Sequence, residues 1–361
     1  MKGVDHVNLP QLNINGKMTS IPIIQGGMGV GVSLSNLASS VANAGGIGII
    51  SGVQIGFREE DFETNTKKAN MRALAKEIRS AKNLSPNGII GANLMVAINN
   101  YKDMVKVAVD EKVDLIISGA GLPKDLPSFV KGTDTKIAPI VSSAKAASLI
   151  TKLWLRRYDY LPDLIIVEGP DAGGHLGFTV EELQGSTPLL EDILKDVITA
   201  IKPFEESKRR KIPIIAAGGI FDGKDISKFI KLGADGVQMG TRFVATHECD
   251  APIEFKKSYI NSTKENIGII SSPAGMPGQA IINPFIKRIQ AEREKVSKCY
   301  NCLTPCNPLT TQYCISKALI NAVKGDIDNG LVFIGKNGYR LQEIVSVKEL
   351  IDELLGELKK S

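Results

Sequence analysis

The chain has 361 residues, of which 43% are hydrophobic and 23% are charged, and its formal net charge is +5. These values are typical of soluble globular proteins and exclude disordered and fibrous classes. No apolar run approaches the ~20 residues that span a bilayer, and no signal peptide is visible, so we expect a cytoplasmic protein without a membrane partner. Only 5% of residues are aromatic and no nucleic-acid-binding motif occurs, so we expect no nucleic-acid partner either.

Short apolar runs alternate with segments of helical periodicity along most of the chain. Because these runs are apolar on both faces, they predict a buried parallel sheet, and eight such units predict an α/β fold of the (β/α)₈ TIM-barrel class. The eight predicted strands are residues 21–24, 46–50, 89–95, 113–117, 136–141, 164–167, 212–216 and 236–239.

Helix signals occur between and after these runs. A helix is predicted to begin at Ser35 and to stop at Gly45, and another to begin near Asp222. Near the C-terminus, Ser346 and Glu349 form a capping-box pattern ahead of leucines and an isoleucine at helical spacing, which predicts a terminal amphipathic helix.

Residues 246–316 break the alternation of strands and helices. They contain six prolines and all five cysteines, four of which are clustered. We expect them to form a smaller cap domain inserted after the eighth strand, with residues 1–245 and 317–361 forming the barrel. A cap over the mouth of a barrel shields reactive intermediates from water.

Glycine-rich turns follow several predicted strands, where a barrel builds its active site. The turns at residues 216–220 and 239–241 follow the seventh and eighth strands, which is the usual phosphate site of this fold. The phosphate belongs either to a substrate or to a cofactor. Gly26, Gly27 and Met28 would leave room for a flat ring, and Asn93 could bond its polar edge, which favours FMN. No Gly-x-Gly-x-x-Gly motif indicates a Rossmann dinucleotide site.

His175 is the candidate catalytic residue. It differs from His6, in a polar tail, and His247, at the start of the cap, because it follows Gly173 and Gly174 at a predicted strand end. An imidazole with a pKa of about 6.5 can accept a proton from carbon or donate one to a carbonyl near neutral pH, and so serves an oxidation or a reduction. Asp171 either orients the ring or holds the loop.

Several of these segments resemble the nitronate monooxygenase (2-nitropropane dioxygenase) family, which also contains the flavin-dependent enoyl-acyl-carrier-protein reductases. The most specific is Glu-Gly-Pro-Asp-Ala-Gly-Gly-His at residues 168–175. The others are Ile-Pro-Ile-Ile-Gln-Gly-Gly-Met at 21–28, Ala-Gly-Gly-Ile-Gly-Ile-Ile at 44–50, Gly-Ala-Asn-Leu-Met at 91–95, Ala-Ala-Gly-Gly-Ile at 216–220 and Gln-Met-Gly-Thr-Arg-Phe at 238–243.

The resemblance implies a barrel that binds FMN non-covalently, with His175 as the catalytic acid or base. It favours a monooxygenase that acts on a small-molecule substrate, oxidising alkyl nitronates with O₂ to a carbonyl compound and nitrite. The alternative is an enoyl-acyl-carrier-protein reductase that uses NAD(P)H, and a less favoured one is a non-enzymatic flavin-binding protein. A homodimer is compatible with either enzyme. The implied FMN contacts are Gly26, Gly27, Met28, Asn93, Glu168, Gly173, Gly174, Gly218, Gly219, Gly240 and Thr241.

Four cysteines follow a C-x₂-C-x₃-C-x₇-C spacing at Cys299, Cys302, Cys306 and Cys314. Four thiols so close together in a cytosolic protein favour a metal over disulfides, and the spacing fits Zn²⁺ or an iron–sulfur cluster. The alternative is a set of reduced thiols, some of them packed as small hydrophobic side chains.

Overall fold

The computed structural model describes residues 9–361, so His6 lies outside the described residues. The strands, in chain order, are β1 (Asn13–Ile14), β2 (Lys17–Met18), β3 (Ile23–Gln25), β4 (Ile47–Ser51), β5 (Ile89–Met95), β6 (Leu115–Gly119), β7 (Lys136–Val141), β8 (Ile165–Glu168), β9 (Gly174–His175), β10 (Ile214–Ala217), β11 (Gly236–Met239), β12 (Ile267–Ser271) and β13 (Pro277–Ile281). The α-helices are α1 (Ser35–Asn43), α2 (Thr66–Leu84), α3 (Tyr101–Asp110), α4 (Pro127–Val130), α5 (Ala144–Tyr158), α6 (Val180–Gln184), α7 (Leu190–Lys208), α8 (Gly223–Lys231), α9 (Thr241–Val244), α10 (Ile253–Ile260), α11 (Pro284–Ala291), α12 (Ile315–Val323) and α13 (Val347–Leu358). Short 3₁₀ turns lie at Lys264–Asn266, Ile327–Asn329 and Lys336–Arg340.

Eight parallel strands close into a barrel in the order β3, β4, β5, β6, β7, β8, β10, β11. Each coincides with one of the eight predicted runs, so the predicted barrel is confirmed. Along β4, Ile47 and Ile49 pack with the barrel interior, whereas Ile50 packs outward among residues of the surrounding helices. This alternation explains why the strands are apolar on both faces.

The two ends of the described chain complete the barrel. Leu12 and Ile14, in and next to β1, pack with the barrel interior and so close its lower end. After β11 the helix α9 has only four residues, and α13 packs instead against α8 and α1 to complete the outer ring. The predicted capping box of Ser346 and Glu349 begins α13.

A second sheet joins residues 246–316 to the barrel. β12 and β13 form an antiparallel hairpin, and β13 pairs with the two-residue strand β9 in the loop after β8. His175 lies on β9, opposite Gly278 of β13. The predicted cap boundary itself stays a prediction, but this pairing brings its residues to the candidate catalytic side chain.

Residues 208–211 are all basic, and several of them form ion pairs at the surface. Lys208 pairs with Asp159 at 2.6 Å and Arg210 with Asp163 at 2.8 Å. Such pairs stabilise a solvated helix end weakly and leave fewer free cations on this surface. Within residues 9–361, we find no helix that combines the length and the apolar composition needed to cross a membrane.

Candidate active site

A cavity of about 270 Å³ lies at the carboxyl ends of the barrel strands. It brings together all the residues predicted for the cofactor and for catalysis, which lie near the carboxyl ends of five barrel strands or in the segments that follow them. The predicted residues that line it are Gly26, Gly27, Met28, Asn93, Glu168, Gly173, Gly174, His175, Gly218, Gly219, Gly240 and Thr241.

Several of these glycines are required by the local backbone. A β-carbon on Gly27 would lie 2.3 Å from Cβ of Asn93, closer than two carbon atoms approach without bonding. Gly218 and Gly219 have φ values of +95° and +78°, in the left-handed region that disfavours other residues. The cavity wall is therefore bare backbone at these points, as a closely approaching ligand requires.

The C-terminal segment 335–340 covers the end of the cavity where a phosphate was predicted. The hydroxyl oxygen of Thr241 accepts a hydrogen bond from the backbone N–H of Gly335 at 3.1 Å, which leaves its proton free for a ligand. Asn337 donates from Nδ2 to the carbonyl of Gly219 at 2.6 Å. We missed this segment in the sequence, although two glycines flanking a Lys-Asn pair mark it.

Two residues that line the cavity each carry a buried polar side-chain atom without a partner among the described residues. These atoms are Oε1 of Gln238 and Nδ2 of Asn100. An unmet buried acceptor or donor costs about 1–3 kcal/mol, so this arrangement fits a ligand that offers a donor to one and an acceptor to the other. We missed both residues, although Gln238 stands out as a polar residue near the end of an apolar strand.

His175 is held from several sides. Its Nε2 lies 2.7 Å from Oγ of Ser272, and its ring meets the ring of Phe333 edge-on at 5.0 Å between centroids. Gly278 allows this contact, since a β-carbon there would lie 2.8 Å from the Phe333 ring. Burial lowers the pKa of His175 to about 4, so the ring is neutral at neutral pH and can accept a proton.

Two acidic residues, at the end of β8 and in the loop that follows it, have different surroundings. Asp171 forms an ion pair with Lys336, 2.9 Å from Oδ1 to Nζ, and its carbonyl accepts from the backbone N–H of Lys336 at 3.1 Å. Of the two roles considered for Asp171, these contacts match holding the loop. Burial raises the pKa of Glu168 to about 7. Among the described residues that line the cavity there is no lysine or arginine.

The four clustered cysteines carry free thiols in the structure. Cys299 is exposed, and Cys302, Cys306 and Cys314 are partly buried. In residues 9–361, no three histidine, cysteine or acidic side chains are placed so that they could hold a metal ion, so the metal site gains no support and stays a prediction. Cys302 lines the cavity, and burial raises the pKa of its thiol to about 11.

The sequence is similar to one protein family and to several individual proteins. A family model described as nitronate monooxygenase matches residues 12–357. A (3aS,4S,5R,7aS)-5-hydroxy-7a-methyl-1-oxo-octahydro-1H-indene-4-carboxyl-CoA dehydrogenase from Rhodococcus jostii is 27% identical over 271 residues, which cover 74% of this chain and 65% of that protein. The chain thus spans less than two thirds of that relative. A probable nitronate monooxygenase from Staphylococcus aureus is 26% identical over 298 residues, or 74% of this chain and 77% of that one.

Among solved structures, FabK from Thermotoga maritima superposes with a TM-score of 0.73 and 28% sequence identity. The superposition covers 94% of this chain and 93% of FabK. The similarity therefore includes both the barrel and residues 246–316.

Proposed function

Because the chain belongs to the nitronate monooxygenase family, a family of oxidoreductases, we propose that it is an FMN-dependent enzyme of the nitronate monooxygenase type. The observation that carries the proposal is the convergence of His175 and all the cofactor residues expected from the family resemblance on one cavity. The curated relatives share only about a quarter of the aligned residues with this chain. We therefore infer the substrate from the site and not from the relatives.

The residues at the site fit FMN. The bare backbone at Gly27 suits a flat ring, and the unpartnered Oε1 of Gln238 and Nδ2 of Asn100 match ring atoms that respectively donate and accept hydrogen bonds. The turns at Gly218 and at Thr241 offer backbone N–H groups and a hydroxyl to a phosphate. When bound, FMN would supply the electron-accepting and electron-donating chemistry that none of these side chains has.

His175 supplies the proton chemistry. A neutral imidazole against an apolar wall can take the acidic α-proton of a nitroalkane, because the charge that forms on the ring is balanced by the charge that forms on the nitro oxygens. Phe333 and the β9–β13 pairing restrict the ring to one position. Some residues of segments 246–316 and 335–340 line the cavity beside that position, and exclusion of water by them would strengthen electrostatic interactions there.

Enoyl thioester reduction is the second candidate. It is favoured by the absence of lysine and arginine from the described lining. A nitronate is an anion and would meet no fixed cation in the cavity, whereas an enoyl thioester is neutral. In this reaction His175 would donate a hydrogen bond or a proton on the thioester side.

Anaerobic mixing of the purified holoprotein separates the two candidates. The flavin absorbance is followed after mixing with nitroethane, its nitronate, NADH or NADPH, with the His175→Asn variant as control. Bleaching by nitroethane or its nitronate, followed by nitrite release when air is admitted, is the expected result. Bleaching by a nicotinamide alone, reversed by crotonyl thioester, would establish the reductase. A protein from which heat releases no FMN would overturn both.

A further inference from the structure

Three polar side chains form a buried chain of hydrogen bonds in the wall of the cavity. Gln54 lies in the loop after β4, Asn70 lies on α2, and Ser316 lies in the first turn of α12. All three line the cavity, and each is at most 6% exposed. We call these three residues the polar relay. Buried polar groups are costly unless they are hydrogen-bonded, and neither the cofactor residues nor His175 account for them.

A backbone N–H at one end fixes the direction of each hydrogen bond in the polar relay. The N–H of Gly56 can only donate, and it donates to Oδ1 of Asn70 at 2.9 Å. Nδ2 of Asn70 therefore faces Oε1 of Gln54 and donates to it at 2.8 Å. Nε2 of Gln54 in turn donates to Oγ of Ser316 at 2.8 Å. Because Ser316 accepts this bond, its own hydroxyl proton is left to donate elsewhere.

The hydroxyl proton of Ser316 is available to a ligand. Within residues 9–361, the side chain of Ser316 makes one hydrogen bond, the one that it accepts from Gln54. Cys302 also lines the cavity, but its thiol is a weak acceptor. Ile315 and Leu319, on the same helix, line the cavity with apolar side chains. A ligand that brings an oxygen atom to this part of the wall would therefore supply the acceptor that the described residues do not.

The position of Ser316 in the helix favours an oxygen atom that carries negative charge. The first backbone N–H groups of a helix have no partner within it, and they give its N-terminus a partial positive charge. Cys314 precedes α12, and its side chain makes no capping hydrogen bond there. The start of α12 thus provides favourable electrostatics in a cavity whose described lining has no lysine or arginine.

We infer that Ser316 donates a hydrogen bond to an oxygen atom of the substrate, and that Gln54 and Asn70 are positioning residues that keep its proton available. The identity of that oxygen rests on the proposed function, which makes it an oxygen of a nitroalkane or its nitronate. The carbonyl oxygen of a thioester offers the same kind of acceptor in the second candidate reaction. In either case the carbon chain of the substrate would pack against Ile315 and Leu319.

The test measures ligand affinity in the FMN-loaded protein. Propanoate has the shape and charge of ethyl nitronate but is not oxidised, and its binding is followed by the change in flavin absorbance. Ser316→Ala should raise the Kd of propanoate and the KM of ethyl nitronate about tenfold, with kcat changed less than about threefold, because one hydrogen bond to a charged oxygen is lost. The FMN affinity of Ser316→Ala should equal that of the wild type.

Two further variants serve as comparisons. Ser316→Thr keeps a hydroxyl and should lose much less affinity for propanoate than Ser316→Ala. Ser39→Ala is the matched control, because Ser39 is a buried serine on α1 that donates to the carbonyl of Asn36 and is not part of the cavity lining. It should leave the Kd of propanoate unchanged.

A double-mutant cycle tests the positioning role. Gln54→Met keeps the length of the side chain and removes the hydrogen bond that directs the Ser316 hydroxyl. It should raise the Kd of propanoate in the wild-type background and cause no further rise once Ser316→Ala is present. An equal rise in both backgrounds would show that Gln54 acts independently of Ser316, and the positioning role would be wrong.

The outcomes separate this inference from the proposed function. Unchanged Kd and KM in Ser316→Ala, or a loss of FMN affinity in their place, would overturn the role of Ser316 in substrate binding. If ethyl nitronate is not oxidised but crotonyl thioester is reduced, the nitronate function fails, and the KM of the thioester decides the role of Ser316 in the same way. If neither compound reacts, the proposed function fails and the propanoate titration decides, with absence of binding to the wild type counting against the inference.

Discussion

Folding shifts the pKa values of Glu168 and His175 in opposite directions. These shifts predict how the stability of the flavin-free protein depends on pH. Burial raises the pKa of Glu168 from 4.5 to about 7, so the folded state binds more protons than the unfolded chain in that range. The resulting stability is fully present below pH 4.5 and is lost as pH rises towards 7. Burial lowers the pKa of His175 from 6.5 to about 4, so its contribution is present above pH 6.5 and is lost as pH falls towards 4.

The two contributions are similar in size. Each shift is about 2.5 units, and at 1.36 kcal/mol per unit each is worth roughly 3 kcal/mol of unfolding free energy. Between about pH 4.5 and 6.5 they offset one another, so this pair contributes little pH dependence in the wild type. Glu168→Gln removes the contribution of Glu168 and leaves that of His175. The variant should gain roughly 3 kcal/mol of stability as pH rises from 4 to 6.5, relative to the wild-type profile.

The assay is urea unfolding of flavin-free protein at a series of pH values, followed by the fluorescence of Trp154, which is the single tryptophan. Glu181→Gln is the matched control, because Glu181 is exposed on α6. It should reproduce the wild-type profile. The reasoning is refuted if Glu168→Gln and wild type show the same pH dependence, since Glu168 would then be solvated in the folded state.

Three further substitutions test the site. His175→Asn should retain FMN while turnover falls about 10²–10⁴-fold, as measured by steady-state kinetics and flavin content; loss of FMN with full activity per bound flavin would refute the catalytic role. Gly27→Ala should weaken FMN binding at least about tenfold, as measured by fluorescence titration, because the added carbon would lie 2.3 Å from Cβ of Asn93. The control is Gly356→Ala, on α13 with open space around it, which should leave FMN affinity unchanged. Gln238→Leu should weaken FMN binding about fivefold through the loss of one hydrogen bond, and unchanged affinity would show that Gln238 does not contact the cofactor.

The barrel was predictable from the sequence because its signal is local and repeated. Each strand is buried on both faces, so runs such as residues 46–50 and 89–95 are apolar without alternation, and the intervening helices have their own start and stop signals. The common location of the predicted cofactor residues followed from one rule of this fold, that loops after the strands meet at one end. No tertiary information was needed to bring Gly27 and Gly218 together.

The surroundings of His175 were not predictable in this way. Ser272 lies 97 residues further along the chain, and Phe333 a further 61, and neither belongs to a periodic pattern. Strand β9 has only two residues, too few for any periodicity, and exists because β13 pairs with it. The two roles weighed for Asp171 could not be separated either, because its partner Lys336 follows 165 residues later.

The pairing of β9 with β13 has a consequence for how such enzymes can diversify. The barrel fixes where the histidine lies, but the hairpin from residues 267–281 fixes how its ring is turned and which hydroxyl it meets. Insertions or exchanges in that hairpin would therefore change the shape of the substrate space and the proton chemistry in one event, while the turns after β3, β10 and β11, where we propose that the cofactor binds, stay untouched. A single scaffold can in this way host neighbouring reactions that share a flavin and a histidine.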